Sequence, residues 1–225
     1  MTQRLVLRKN SKSAYRANFK IMTVQPTYLK DLELQNGLVP TKAGEILYQI
    51  LPDLGEPFDR PSAVVTELWS RADPLLSSGQ QSIRGELFEL IIAISLFKFD
   101  LRPFYYQTKL ALIPETDYDF VLWTRSGPVV LSAKTSLRER IKQAALEAVA
   151  LKMVHRRASS YVLTLDHGEA ENAHRKVIEG DLPALTAVIK ADTSEFDELC
   201  EHLSRIEIIE APTVTLVAKS RARVK

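Results

Sequence analysis

The 225-residue chain has a single cysteine, Cys200, so no disulfide framework and no cysteine-rich zinc site can form within it. Its four histidines are scattered rather than set at metal-ligand spacing. Net charge is equally scarce: 30 Lys and Arg against 28 Asp and Glu leave +2. That is too little to mark a nucleic-acid binder, although a cleft can concentrate basic residues that are balanced elsewhere. No long apolar run is present either. The longest, LIIAISLF, is too short to cross a bilayer, and no secretory-type segment opens the chain, so the expectation is a soluble cytoplasmic protein with no membrane partner. Internal repeats and low-complexity tracts are also lacking. The length allows one domain with a substantial core.

Against these absences, the stretch SAKTSLRERIKQAALEA, Ser132 to Ala148, is dense in chemistry: a strand lysine, an Arg-Glu-Arg triplet and a later glutamate. Just upstream, TDYDFVLWTRSGPVVL alternates polar and apolar residues around an Arg-Ser-Gly turn, as a β-hairpin with one face on the core does. A turn near Ser126 places Asp119 opposite a residue close to Ala133. Asp119, Ser132 and Lys134 can then converge at one end of the ladder. Beyond Lys134, Thr135 or Ser136 could cap a helix running from Leu137 to about Arg157. On it Arg140, Gln143 and Glu147, at i, i+3 and i+7, form one polar stripe. Ala144, Ala145, Ala148 and Leu151 supply an adjoining small, apolar surface that lets the helix lie close to the sheet and carry Glu147 toward Asp119 and Lys134.

An Asp on one strand, an x-x-Lys element on the next and a further carboxylate resemble the PD-(D/E)xK nucleases. The common form has Glu or Asp two residues before the lysine; here that place holds Ser132, and Glu147 lies thirteen residues after Lys134. This resembles the migrated-glutamate variant of the type II restriction endonucleases grouped with EcoRII, SsoII, PspGI and NgoMIV, over roughly Asp117 to Leu151. The residue before Asp119 is Tyr118 rather than the usual proline, and Asp117 competes for the same role; YDFVLW aligns better with Asp119. Many nucleases of this fold carry a glutamate on the helix before the aspartate strand. SIRGELFELIIAISLF reads as that helix, with Glu86 and Glu89 on it and the R-G-x-x-F-E arrangement favouring Glu89.

The resemblance implies Mg²⁺-dependent phosphodiester hydrolysis of double-stranded DNA that leaves 5′-phosphates. Asp119 and Glu147 would hold the metal, Lys134 would orient the attacking water and stabilise developing charge, Ser132 would hydrogen-bond a metal water, and Glu89 would be an accessory acid. In the same group the segment after the lysine reads C·G pairs, and K-T-S-L-R-E-R matches it. Arginine can donate twice to guanine while a carboxylate accepts from cytosine N4. The implied DNA contacts are Arg138, Glu139, Arg140 and Gln143, and the implied site is a palindrome containing CC/GG. A palindrome implies a two-fold homodimer, which could pair into a tetramer. A sequence-specific nuclease further implies a protecting DNA methyltransferase in the same system. Taken alone, an Arg-Glu-Arg run is the pattern of a solvated face and Gln143 that of a structural hydrogen bond. The alternatives are a repair or junction nuclease of the same fold and a non-catalytic DNA-binding protein.

The expected fold class is α/β (α+β): a restriction-endonuclease-like mixed central sheet flanked by helices over residues 76–225, preceded by a mainly helical arm over 1–75. In the arm, PTKAGEILYQILPDLG has a capped start, an amphipathic body and a Pro-Gly-containing end. Tyr28 and Trp69 are read as core residues. After the base-reading segment, SSYVLTLD and LTAVIKA read as strands, HGEAENAHRKVIEGD as an exposed helix ending at Gly180, and SEFDELCEHLSRI as an amphipathic helix. The basic end AKSRARVK reads as a solvated terminus or a phosphate contact.

Overall fold

The alternating segment on either side of Arg125 folds into the expected antiparallel hairpin in the computed structural model. Residues 26–35, 39–113, 116–138 and 140–212 are described, together with the backbone of 216–222. Its strands are β2, Tyr118–Thr124, and β3, Gly127–Lys134. The turn is fixed by Gly127, at φ 141, and by the Thr124 hydroxyl, which donates to the Gly127 carbonyl at 2.8 Å. Before the hairpin lies β1, Phe104–Leu110; after it come β4, Ser159–Thr164, β5, Ala187–Lys190, and β6, Ile208–Ile209. The last strand is β7, Leu216–Ala222. The sheet order is β5-β4-β3-β2-β1-β7, with β6 paired to the turn end of β2. The β7-β1-β2-β3 half is antiparallel and the β3-β4-β5 half parallel.

Helices cover both faces. One face carries α2, Lys42–Ile50, α3, Pro61–Ala72, α4, Gln81–Lys98, and α7, Ser194–Ser204; the short α1, Tyr28–Asp31, joins the same layer. The apolar stripe of α4 is continuous with Phe104, Phe120, Leu122, Leu131 and Leu163 of the sheet and with Leu29, Leu47 and Leu68 of the N-terminal helices. The arm helices therefore share one core with the sheet. The opposite face carries α5, Arg140–Val154, and α6, His167–Glu179. Here the layer is thin: Ala144 and Ala148 of α5 and Ala170 and Ala173 of α6 meet Val162 and Val188. Alanines bring helix axes close to the sheet, as their spacing suggests.

A mixed sheet flanked by helices, with helical structure ahead of it, is the fold class expected. Several elements differ from the sequence reading. The helix expected from Leu137 to about Arg157 runs from Arg140 to Val154, although the amide of Ile141 still donates to the Leu137 carbonyl. β1 carries little strand signal in the sequence, because FYYQTKL has no clean alternation. Part of the basic end is a strand: the backbone of 216–222 pairs along β1, and 223–225 lie outside the described residues. Tyr28 and Trp69 are core residues, Tyr28 donating to the Leu51 carbonyl and Trp69 edge-on to Phe88.

Candidate active site

β2 and β3 pair in register from Thr124↔Gly127 to Phe120↔Leu131. Extending that register by one pair sets Ser132 against Asp119, one residue from the position expected. Here the alternation of β2 breaks: Phe120 faces the α4 side, whereas Tyr118 belongs to the cluster on the opposite face. The Asp119 carboxylate fills the junction. Its Oδ2 accepts from the Ala133 amide at 2.9 Å, the Ser132 hydroxyl at 3.2 Å and the Lys134 ammonium at 2.7 Å. Among the described residues no donor reaches Oδ1. The Asp119 and Lys134 side chains are 9 % and 10 % exposed, so the pair is desolvated, and removing one partner would strand a buried charge. The competing Asp117 precedes β2 on the surface.

Glu89 reaches the same junction from α4. Its Oε2 accepts from the Tyr106 hydroxyl at 3.1 Å and from Gln107 Nε2 at 2.5 Å. Consecutive strand residues normally point to opposite faces. Both side chains meet one carboxylate because Gln107 has φ 50, a left-handed conformation inside a strand and uncommon for a non-glycine residue. Strain of this kind persists where surrounding structure over-determines it, and it clusters at functional sites. Burial, reinforced by the Asp119 charge, pushes the Glu89 carboxyl up to about 7 against the opposing effects of Lys134, Tyr106 and Gln107. Burial, with Glu89 beside it, raises the Tyr106 hydroxyl as well, keeping it a donor. Glu86, the other acid on this helix, instead accepts from the Thr41 hydroxyl at 2.6 Å. Gln107 and Tyr106 were not legible as site residues, since neither lies in a motif; a polar residue inside FYYQTKL was the only signal.

Glu147 approaches from α5 on the other face. Gln143, one turn earlier, donates to its Oε1 at 2.8 Å, so Gln143 has the structural partner that its spacing allowed. Tyr118 donates to the Glu147 carbonyl at 3.3 Å and ties the helix to β2. Burial raises the Glu147 carboxyl above its ordinary value, and the Asp119 charge adds to this, opposed by Gln143 and Lys134. Between α5 and the sheet a cavity of about 10 Å³ is lined by Glu147, Ser132, Tyr118 and Ser160, whose buried Oγ has no partner among the described residues. That is room for about one water.

The segment leaving β3 lies at the same end of the sheet. Arg138 and Arg140 are exposed, Arg138 with 85 % of its side chain in solvent. The segment ahead of α5 is held by a distant residue, while the residue just before the helix, Glu139, lies outside the described residues. Glu169 of α6 accepts through Oε2 from the amides of Leu137, at 2.8 Å, and Arg138, at 2.6 Å. A charged acceptor serving two adjacent amides is a stronger restraint than a hydroxyl. No local sequence rule could have placed a residue 32 positions away there.

The charge balance bears on a metal. Three carboxylates, Asp119, Glu89 and Glu147, surround one ammonium group, and the two glutamates are held above their ordinary values partly by Asp119. A divalent cation would relieve that excess, and a donor set of carboxylate oxygens suits a hard ion. Among the described residues, no three His, Cys, Asp or Glu side chains gather closely enough to hold a metal ion. Mg²⁺ is commonly held by one or two carboxylates, with water and substrate phosphate oxygens completing its shell, and carboxylates such as Asp119 and Glu147 are the donor type it takes. No helix among the described residues is long and apolar enough to cross a membrane. No protein-family model matches the chain, nor does any curated protein or solved structure.

Proposed function

We propose that the chain is a Mg²⁺-dependent, site-specific deoxyribonuclease of the type II restriction kind, cutting double-stranded DNA at a palindrome that contains CC/GG. The observation that carries this reading is the convergence on Asp119. Lys134 joins it across the end of the hairpin, and carboxylates arrive from helices on opposite faces of the sheet. The acid on β2 and the lysine on β3, the strand that feeds α5, stand on adjacent strands as the motif resemblance implies.

In this reading Asp119 and Glu147 hold the ion, which when bound supplies charge neutralisation at the scissile phosphate and a more acidic water. Lys134 holds an ammonium donor beside that phosphate and orients the attacking water through Nζ, in a site dry enough for its charge to act strongly. Ser132 steadies the Asp119 carboxylate and Glu89 is an accessory acid. Arg138, Glu139 and Arg140 read base edges of the DNA. A palindromic target makes the acting species a homodimer, and a resident cutter calls for a protecting methyltransferase.

The test is digestion of a plasmid of known sequence with purified protein and Mg²⁺, alongside Asp119→Ala and Lys134→Ala, with the fragment ends sequenced. Discrete ends at a CC/GG palindrome, absent from both variants, are expected. Random nicking would demote the arginines to backbone contacts and favour a repair-type nuclease. A second reading, DNA binding without cleavage, draws on the direct 2.7 Å pairing of Lys134 with Asp119, which commits the ammonium group to a structural partner. Binding with no cleavage by the unaltered protein would select it.

A further inference from the structure

We infer that Glu169 is the positioning residue of the base-reading segment and thereby sets how well the protein discriminates between DNA sequences. This rests on the proposal that Arg138 and its neighbours read base edges. Topology puts the acid where it can act. β3 and β4 are parallel and end level with each other, Lys134 against Thr164, so their chain exits leave the same edge of the sheet side by side. One exit becomes the segment 135–138; the other turns through Asp166 into α6. The turn is rigid: the Asp166 amide donates to the Thr164 hydroxyl at 3.1 Å, and the Asp166 side chain caps α6 by accepting from the Glu169 amide at 3.1 Å. Glu169 therefore stands in the first turn of a helix anchored to the strand next to β3.

From there one carboxylate holds the backbone at Arg138 and lies near its side chain. Oε2 accepts from the backbone of Leu137 and Arg138, while Oε1 lies 3.8 Å from Arg138 Nε. Leu137, 1 % exposed in the alanine-lined cluster, pins the other side of the segment. The backbone origin of the Arg138 side chain is thus fixed from both flanks. Only Nε is approached; no hydrogen bond from a described residue engages the terminal guanidinium nitrogens, the edge that pairs with guanine O6 and N7. A group that merely buried the arginine would consume that edge. Glu169 instead aims it, and discrimination by an arginine depends on its aim.

The experiment compares Glu169→Ala, Glu169→Asp and Glu169→Gln with the unaltered protein on the site found by plasmid digestion and on duplexes carrying each single-base change, measuring kcat and KM separately. Binding to a non-cognate duplex without divalent ion and the thermal midpoint are followed in parallel. Glu169→Ala and Glu169→Asp are expected to lower the kcat/KM ratio of cognate to single-base variants by roughly tenfold, mainly at one base pair of each half-site. Non-cognate binding should stay unchanged. Glu169→Gln keeps an acceptor oxygen for the two amides but loses the charge and the oxygen facing Arg138 Nε, so its loss should be smaller than that of Glu169→Ala. If Glu169→Ala does not fold, the shorter Glu169→Asp carries the test. Unchanged discrimination in the variants, or an equal loss at every position together with non-cognate binding, overturns the inference while leaving the nuclease reading intact. If the unaltered protein makes no discrete fragments, the nuclease reading fails and takes the inference with it.

Discussion

Glu89 lies between two donors, Tyr106 and Gln107, and two opposite charges, Asp119 and Lys134, yet burial, reinforced by Asp119, outweighs Lys134 and both donors and lifts its carboxyl to about 7. A carboxyl held above its ordinary 4.5 binds a proton in the folded state that the unfolded chain has already released. The stability it contributes is complete below about pH 4.5 and is lost as the pH rises through about 7. Glu89→Gln removes that titration while keeping an acceptor for both donors. It should be more stable than the unaltered protein at pH 8, by an amount on the order of 2–3 kcal/mol, and no more stable near pH 4.5, as urea midpoints at the two pH values would show. A gain of the same size at both would mean that packing, not ionisation, is responsible. Gln107 is the other strained element of this contact. Gln107→Val places a β-branched residue at φ 50 and deletes the donor to Glu89; a loss of roughly 2–4 kcal/mol is expected. Gln107→Gly, relaxed at that angle, should lose less by the same denaturation measurement.

The position of Glu147 depends on α5 as a rigid body, and α5 lies as close to the sheet as Ala144 and Ala148 permit. Ala148 is 2 % exposed and packs in the cluster that holds Val162. Ala148→Leu should cost about 1–3 kcal/mol by overpacking. It should also lower cleavage far more than binding, because moving the helix away from the sheet carries Glu147 with it; a normal cleavage rate in a destabilised variant would show that Glu147 is not needed where it stands. The same element shows what the sequence could and could not reveal. Asp119, Lys134 and Glu147 were legible because a hairpin and a helix are local patterns, set by alternation around Arg-Ser-Gly and by alanines at helical spacing. Glu89 was legible through its neighbours Arg84, Gly85 and Phe88, and the structure gives Glu86 a different partner, Thr41. Glu169 and Gln107 were not. One acts across 32 residues, and the other through a backbone angle that no residue type announces. β7 escaped for a related reason: alternating Lys, Arg and small residues become a strand only because β1 offers a pairing edge.

On the scale of the whole molecule, the sequence suggests a helical arm over 1–75 and a core over 76–225, and the described arm helices pack on that core. Leu29, Leu47 and Leu68 from the arm lie in one apolar cluster with Leu87, Ile91 and Leu131, and Arg71 of α3 reaches back to the Ile50 carbonyl at 3.1 Å. The Lys98 ammonium at the end of α4 donates to the carbonyls of Leu54 and Glu56, each at 2.6 Å. Helices that supply part of a shared core cannot unfold without exposing the rest, so the described chain should lose its arm and its sheet in one cooperative transition. The two tryptophans make this measurable. Trp69 sits on α3 against Phe88, and Trp123 sits on β2 edge-on to His155. In Trp123→Phe the remaining fluorescence follows the arm, and in Trp69→Phe it follows the sheet. Each single-tryptophan protein, unfolded in urea, should show a fluorescence transition that coincides with its own loss of helical circular dichroism. An earlier transition for Trp69 would make the arm a separate unit. It would also free the face of α4 opposite Glu89, and with it one wall of the site, to move independently of the hairpin that carries Asp119 and Lys134.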